Sequence, residues 1–496
     1  MTRATPPPLA DLAAKRLGGM VLAASDEFFA PKERLLEPAP PLFRAGHYTD
    51  RGKWMDGWET RRRRGPGNDW AVVRLGLPGM VRAVAVDTTH FSGNQPAACS
   101  VDGLAADATA HLEGPLDSSA DWHELLPRSP LEPDLEQRFP VEAPLRVTHL
   151  RLNIYPDGGV ARLRVLGEPV PDLRRLAAPD GRADLAAAVN GAEVVACSDM
   201  SFASSSNLLL PGDAVDMRDG WETRRRRSPG HDWAVVRLAA EATIERVEVA
   251  TTHYKGNYPE RCELEACLEP GAEGFQMPEG GWWSVVPPSP LGPHARHVFA
   301  ATPGPAATHV RLAIHPDGGV SRLRVWGRVS DDGWRRWGLR WLNVLPARQA
   351  EAELLTCCGS HAWASKVAAS RPFATTEELA GVADKVWESL GPDDWLEAFA
   401  AHPRIGELST SPLSAREQAG VGGADELVLA ALAEGNRAYE ARFGHLFLVC
   451  ASGRGAAELL AELRRRLGND PGTELGVAAS EQRKITRLRL EGLLRP

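Results

Sequence analysis

Asp56-Gly-Trp-Glu-Thr-Arg-Arg-Arg-Arg64 returns as Asp219-Gly-Trp-Glu-Thr-Arg-Arg-Arg-Arg227, nine identical residues displaced by 163 positions. The identity extends outward in both directions. Asp69-Trp-Ala-Val-Val-Arg-Leu75 returns as Asp232 to Leu238, and Thr88-Thr-His90 with Gly93 and Asn94 returns as Thr251-Thr-His253 with Gly256 and Asn257. Further on, Thr148 to Leu152 and Pro156-Asp-Gly-Gly159 return as Thr308 to Leu312 and Pro316-Asp-Gly-Gly319, now displaced by 160. Toward the N-terminus, Ser25-Asp26 and Phe29 match Ser198-Asp199 and Phe202 at a displacement of 173. The copies therefore differ by short loop insertions. A unit of about 150 residues is far longer than a solenoid repeat, so each copy is a whole domain.

Inside each copy the local pattern is β. Ala71–Leu75, Arg82–Val86, Thr148–Leu152 and Arg162–Val165 alternate apolar with polar residues, and Pro- and Gly-rich stretches separate them as turns. Many strands with few helical stretches predict an antiparallel β-sandwich. What recurs identically, however, is mostly polar. Alternate arginines of an extended run face opposite sides, so Arg62 and Arg64, and likewise Arg225 and Arg227, can turn toward one site. A guanidinium fork suits a small carboxylate substrate. The plainer readings are a solvated edge or ion pairs with Glu59 and Asp56.

His90 with Asn94, and His253 with Asn257, follow an apolar strand, where sandwiches display functional groups. Each histidine reads as structural, as a general base, or as a metal ligand beside Asp56 or Glu59 and its counterpart Glu222. No HxxxH or HExxH spacing supports the metal reading. His149 and His309 sit inside strands and read as core histidines, and Trp58, Trp221, Trp70 and Trp233 as core or pocket wall.

The duplicated Asp-Gly-Trp-Glu-Thr-Arg-Arg-Arg-Arg, Asp-Trp-Ala-Val-Val-Arg-Leu, Thr-Thr-His-(Phe/Tyr)-x-Gly-Asn and Pro-Asp-Gly-Gly segments resemble allantoicase over roughly residues 17–327. The resemblance implies jelly-roll, galactose-binding-like sandwiches that hydrolyse allantoate to ureidoglycolate and urea. The chemistry needs an activated water and protonation of the departing urea nitrogen. The candidates are His90, His253, Glu59 and Glu222 for catalysis, with Arg62, Arg64, Arg225, Arg227, Asn94 and Asn257 for binding.

After Gly327 the period changes. Leu429, Leu432, Asn436, Tyr439 and Phe443 step along one helical face, as do Leu459, Leu460, Leu463 and Leu467, then Ala478, Ile485 and Leu488. An all-α domain is expected. His402-Pro-Arg-Ile-Gly406 breaks an apolar helix carrying Trp395 and Phe399. Ser414 and Glu417 form a capping-box pattern, so capping is their plainer reading. Arg489, four residues after Ile485, reads as an arginine snorkelling from an apolar face.

Together Cys358-Gly-Ser360, Arg371-Pro-Phe373, His402–Gly406, Glu417-Gln418, Asn436, Tyr439, Phe443-Gly444, Phe447–Ala451 and Lys484–Leu490 resemble OHCU decarboxylase, which forms S-allantoin from 2-oxo-4-hydroxy-4-carboxy-5-ureidoimidazoline. The resemblance implies cofactor-free decarboxylation. His402 would be the proton donor; Glu417 and Arg489 would also be catalytic. Pro403, Ser414, Gln418, Phe447, Leu448, Val449, Cys450 and Ala451 would contact substrate.

The expected architecture is therefore multidomain: two tandem antiparallel β-sandwiches, 1–172 and 173–330, a linker at 331–339, and an all-α domain at 340–496. The alternative is a ligand- or carbohydrate-binding sandwich attached to an active decarboxylase domain. A net charge of −8 argues against nucleic acid. No apolar run reaches the roughly 18 residues of a membrane span, and residues 1–17 lack a signal peptide's apolar core. Seven cysteines, an odd number with no CxxC pair, signal neither a disulfide framework nor a zinc site and suit a reducing compartment. The protein is expected to be a cytoplasmic homo-oligomer acting on small molecules, allantoate and OHCU. No cofactor is expected, with a divalent metal in the hydrolytic part left open.

Overall fold

The structure, a computed structural model, describes residues 9–106, 122–142, 145–178, 180–269, 278, 280–402, 404 and 426–495. The chain divides into two compact units, Met1–Gly333 and Trp334–Pro496.

In the first repeat the main sheet is built from β1 (Ala10–Asp11), β2 (Met20–Ala24), β3 (Asp69–Asp87), β4 (Ala98–Leu104), β5 (His123–Pro130), β6 (Glu136–Pro140), β7 (Arg146–Tyr155) and β8 (Arg162–Pro169). Its order is β1-β8-β3-β7-β4-β5, with β2 and β6 also paired to β3. The long β3 joins the two layers of the sandwich. Its first half, residues 71–74, pairs with β2, and residues 83–87 pair with β6, while β7 and β8 flank the two halves. Between the layers lies a core of Val73, Val84, Val86, Val101, Leu150, Leu152, Leu163 and Val165.

The second repeat has the same order with β9 (Arg182–Asp184), β10 (Glu193–Cys197), β11 (Asp232–Ala250), β12 (Arg261–Cys267), β13 (Trp283–Pro290), β14 (Arg296–Ala300), β15 (Ala307–His315) and β16 (Arg322–Val329). The expected antiparallel sandwiches are present. One detail differs from expectation: the Gly76-Leu-Pro-Gly79 stretch is no turn between two strands. The backbone runs through it, and the pairing with β7 slips between Val147 and His149, so the surplus residues form a bulge.

In the second unit, eight helices are described: α1 (Asp331–Val344, starting three residues before the unit boundary), α2 (Ala347–Leu355), α3 (His361–Ala369), α4 (Thr376–Glu388), α5 (Pro392–Ala400), α6 (Glu426–Phe443), α7 (Ala456–Arg466) and α8 (Pro471–Leu493). The expected linker at 331–339 is thus the first half of α1, a correction; Trp334, Trp337 and Trp341 recur at helical spacing and are buried. Side-chain caps start α3, α4 and α8, through Ser360, Thr375 and Asp470. Leu432, Tyr439, Leu459, Leu463, Ala478 and Ile485 are buried as the periodicity predicts, whereas Leu488 is exposed. Among the described residues no helix is long and apolar enough to cross a membrane.

The Pro-Asp-Gly-Gly segments follow cis Tyr155–Pro156 and His315–Pro316 bonds and press against the His90 and His253 loops. A Cβ on Gly159 would lie 2.0 Å from the buried Phe91 ring, and one on Gly319 the same distance from Tyr254. Gly159→Ala is therefore expected to lower unfolding free energy by roughly 2–3 kcal/mol, measured by denaturant unfolding; an unchanged midpoint would mean the ring is free to move.

Candidate active sites

The duplicated motif divides into scaffold groups and exposed groups. Trp58-Glu59 pairs with Gly159-Val160, and Ala30 bridges Glu59 from the other side. Trp58 is fully buried and its indole N–H donates to the Asp26 carbonyl at 2.7 Å. Past this anchor the arginines alternate as the extended run predicts. Arg61 pairs with Asp26, and Arg63 pairs with buried Asp69 while its amide donates to the Asp157 carboxylate. Arg224 and Arg226 repeat these contacts with Asp199, Asp232 and Asp317. Arg62, Arg64, Arg225 and Arg227 are exposed and have no carboxylate partner among the described residues.

Asp56 does not join a histidine. Its carboxylate accepts from Arg162, which is 3 % exposed and also donates to the carbonyls of Ala39, Asp56 and Ala161. Asp219 serves Arg322 in the same way. This corrects the reading of Asp56 as half of an oxygen/nitrogen site.

Glu59 and Asn94 do meet. The Asn94 amide donates to Glu59 Oε1 at 2.8 Å, and Asn257 donates to Glu222 at 2.6 Å. In the first repeat the pair lines a cavity of about 490 Å³ with His90, Lys53, Phe29, Phe43 and Asp134. Burial, partly offset by the Asn94 amide and the Lys53 charge, holds the Glu59 carboxyl above its usual pKa. In the second repeat Glu222 and Asn257 line a cavity of about 450 Å³ with Arg225, Tyr258, Glu260 and Asp317.

The two loop histidines have backbone duties. Both occupy the left-handed region, φ 70° and 73°. His90 donates from Nε2 to the Pro41 carbonyl at 3.3 Å, and His253 to the Ala214 carbonyl at 2.9 Å. His90 faces its cavity, whereas His253 lies outside the lining of the second one, held between His294 and Ala214. His149 and His309 are buried core residues bonded to Thr148 and Thr308, and burial lowers each to about 4.

Sequence comparison of the copies overlooked Lys53, because it lies in a segment the second repeat lacks. The displacement falls from 173 at Phe29 to 163 at Asp56, so the first repeat carries ten extra residues there. That length difference was the available signal. Among the described residues no three His, Cys, Asp or Glu side chains are grouped to hold a metal.

In the helical unit, His402 follows the end of α5, and Arg489 of α8 reaches its Nδ1 at 3.4 Å. Arg489 is 8 % exposed, so it does not snorkel to solvent. Burial, then the Arg489 charge, lower His402 to about 3, with Gln482 acting in the opposite sense. Phe447, Leu448, Val449 and Ala451 are buried and Cys450 is half-buried. The segment is clamped at two points. Buried Arg466 donates to the Leu448 carbonyl at 2.7 Å while pairing with buried Glu474, and Glu481 of α8 accepts from the Cys450 amide at 2.8 Å. Sequence reading missed both Gln482 and Arg466; a charged residue within α7's apolar face was the signal for the latter. Pro403, Ser414, Glu417 and Gln418 lie outside the described residues.

With this geometry in hand, a family model described as Allantoicase repeat matches residues 10–170 and 183–330, and one described as OHCU decarboxylase matches residues 343–491. The chain is 50 % identical over 325 residues to "Probable allantoicase 2" of Burkholderia pseudomallei, covering 64 % of this chain and 95 % of that one. The crystal structure of allantoicase from Saccharomyces cerevisiae is 36 % identical, with a TM-score of 0.54, covering 64 % of this chain and 92 % of its own. The structure of an OHCU decarboxylase in the presence of (S)-allantoin is 40 % identical over 29 % of this chain and 96 % of its own, with a TM-score of 0.27.

The arginine division is measurable as stability. Arg63→Met leaves the buried Asp69 carboxylate with the Ser25 hydroxyl but no cation, and is expected to cost about 2–4 kcal/mol. Arg62→Met should leave the thermal midpoint unchanged. Equal midpoints for the two variants would contradict the division.

Proposed function

The chain belongs to the allantoicase family through its two repeats and carries an OHCU decarboxylase domain behind them, and on that premise we propose how its residues divide the work. It is a bifunctional enzyme of urate breakdown, a hydrolase and a carboxy-lyase acting on small molecules. The alternative of a pure binding module gives way, because both repeats match an enzyme family. We place it in a reducing cytoplasm, a reading supported by seven free cysteines.

For allantoate, the carrying observation is the Glu–Asn pair that recurs in both cavities. The amide and the carboxylate complement ureido N–H and C=O groups. Arg62 with Arg64, or Arg225 with Arg227, supplies guanidinium groups for the substrate carboxylate. Glu59, raised by burial, holds a proton more readily than an exposed carboxyl. It hands that proton to the departing urea nitrogen as the C–N bond breaks, and takes one back from the water whose oxygen bonds the central carbon. Glu222 is its counterpart, and His90 holds the first cavity's rim. His253, outside the second cavity, keeps only the loop-holding role in this reading. Glu59→Gln with Glu222→Gln is expected to lower urea release from allantoate by about 100-fold or more. Arg62→Ala and Arg225→Ala should each weaken turnover; unchanged rates in both would end the arginine reading.

For OHCU, the carrying observation is half-buried His402 against Arg489 at 3.4 Å. Without a counter-charge the imidazole is neutral at pH 7, since burial and Arg489 lower its pKa to about 3. A substrate carboxylate drawn to Arg489 offsets that repulsion, so the imidazole takes up its proton together with the substrate. The carboxylate then leaves as CO₂, its bonding pair passes into the ring carbonyl system, and the imidazolium protonates the carbon left behind. Phe447 to Ala451 form the pocket wall, and Glu417, Gln418, Ser414 and Pro403 complete the proposed contacts. His402→Ala is expected to abolish S-allantoin formation and leave urea release from allantoate intact. Loss of both in a folded variant would contradict this division.

A further inference from the structure

We propose that Gln482 is a positioning residue for His402: its side-chain oxygen receives the His402 Nε2–H, leaving Nδ1 as the nitrogen that serves the substrate. The inference rests on the reading of His402 as proton donor.

The tautomer follows from Arg489. A guanidinium has only donors to offer, so the His402 Nδ1 it approaches at 3.4 Å is the acceptor, and the proton of the neutral ring sits on Nε2. That Nε2 is buried without a hydrogen-bond partner among the described residues. The Gln482 side-chain oxygen is in the same state, within a residue that is 0 % exposed. An orphaned buried donor and an orphaned buried acceptor are each destabilising, and that cost vanishes when they meet. Gln482 is also the side chain that favours the protonated form of His402, against burial and Arg489.

Gln482 is held from behind. Its amide donates to Thr486 Oγ1 at 3.1 Å, one turn along α8. Gln482, Thr486 and Arg489 stand at i, i+4 and i+7, on one face of the helix. Arg489 is the charged group acting on His402 among the described residues; the Cys358 thiol, pushed up to about 11 by burial, stays neutral. When the substrate draws Arg489 to its carboxylate, Nδ1 takes up a proton and Gln482 steadies the imidazolium from the far side. A fixed amide then selects which nitrogen works without adding a second charge.

The test is the pH dependence of decarboxylation by the full chain, followed as optical activity of S-allantoin. Activity declines as pH rises through the His402 pKa of the loaded site. Gln482→Leu should lower kcat by about 10-fold or more, with KM within about twofold, and move the declining limb to lower pH. Gln482→Glu faces the Nε2–H with a carboxylate and should move the limb up by about one pH unit or more. Limbs unmoved in variants that melt cooperatively would overturn the proposal. Should Gln482→Leu fail to fold, the near-isosteric Gln482→Glu decides alone. His402→Asn separates the two layers of inference: if it still decarboxylates, the proton-donor reading fails. If it is inactive while the Gln482 limbs stay fixed, only the Gln482 proposal fails.

Discussion

A guanidinium taken out of water must be surrounded completely, and in each repeat one arginine imposes that requirement on the loops around it. Arg162 is 3 % exposed and draws in three backbone carbonyls and the Asp56 carboxylate. Removing one partner of such a buried pair costs about 3–5 kcal/mol. The start of the duplicated motif is therefore pinned, and Trp58 follows into the core. The next residue, Glu59, is then paired on both backbone edges and its side chain is fixed toward the cavity. Arg322 does the same for Glu222 through Asp219. The rigidity of both sites rests on this contact.

The repeats are alike in scaffold and unlike in lining. His90 takes its amide contact from Asp134, His253 from His294. Phe91 becomes Tyr254, whose hydroxyl bonds the Met217 carbonyl. The ten extra residues of the first repeat bring Lys53 and Phe43 over Glu59, while the second cavity has Arg225, Glu260 and Asp317. A cation therefore lines each cavity from a different element. The two copies share the groups that hold the scaffold together and the Glu–Asn pair, while the rest of the cavity walls differ.

That pattern explains what could be read in advance. Strand alternation, the sandwich class and the helical period were legible because burial imposes them at every second or every third to fourth residue. The alternation of the arginines was legible for the same reason, but not which member of each pair would be scaffold. Arg61 and Arg63 are spent on Asp26 and Asp69, carboxylates that are distant or adjacent in sequence without any periodic sign. The Gly76–Gly79 stretch looked like a turn because glycine and proline also suit a bulge. Residues 331–339 looked like a linker although their tryptophans already carried a helical spacing. Gln482 was invisible: an amide at a buried helical position is read from sequence as a packing residue, and only the two unpartnered atoms reveal more.

The two halves solve one problem, gripping a small ureido anion, with opposite electrostatics. In the first sandwich burial holds the Glu59 carboxyl above its usual pKa before any substrate is present. In the helical domain burial, reinforced by the Arg489 charge, disfavours the imidazolium, and in the proposed mechanism the charge of the substrate reverses that state. In the proposed mechanism the proton donor is conditional on a carboxylate seated at Arg489, which suits a reaction that destroys that carboxylate: once CO₂ has gone and the imidazolium has given up its proton, Arg489 again faces a neutral ring. The hydrolase has no such reset, because its substrate carboxylate survives in ureidoglycolate. The products show why the halves need no passage between them. S-allantoin is cyclic and allantoate is its ring-opened form, so a separate ring-opening hydrolysis stands between the two reactions, and the product of one is not the substrate of the other.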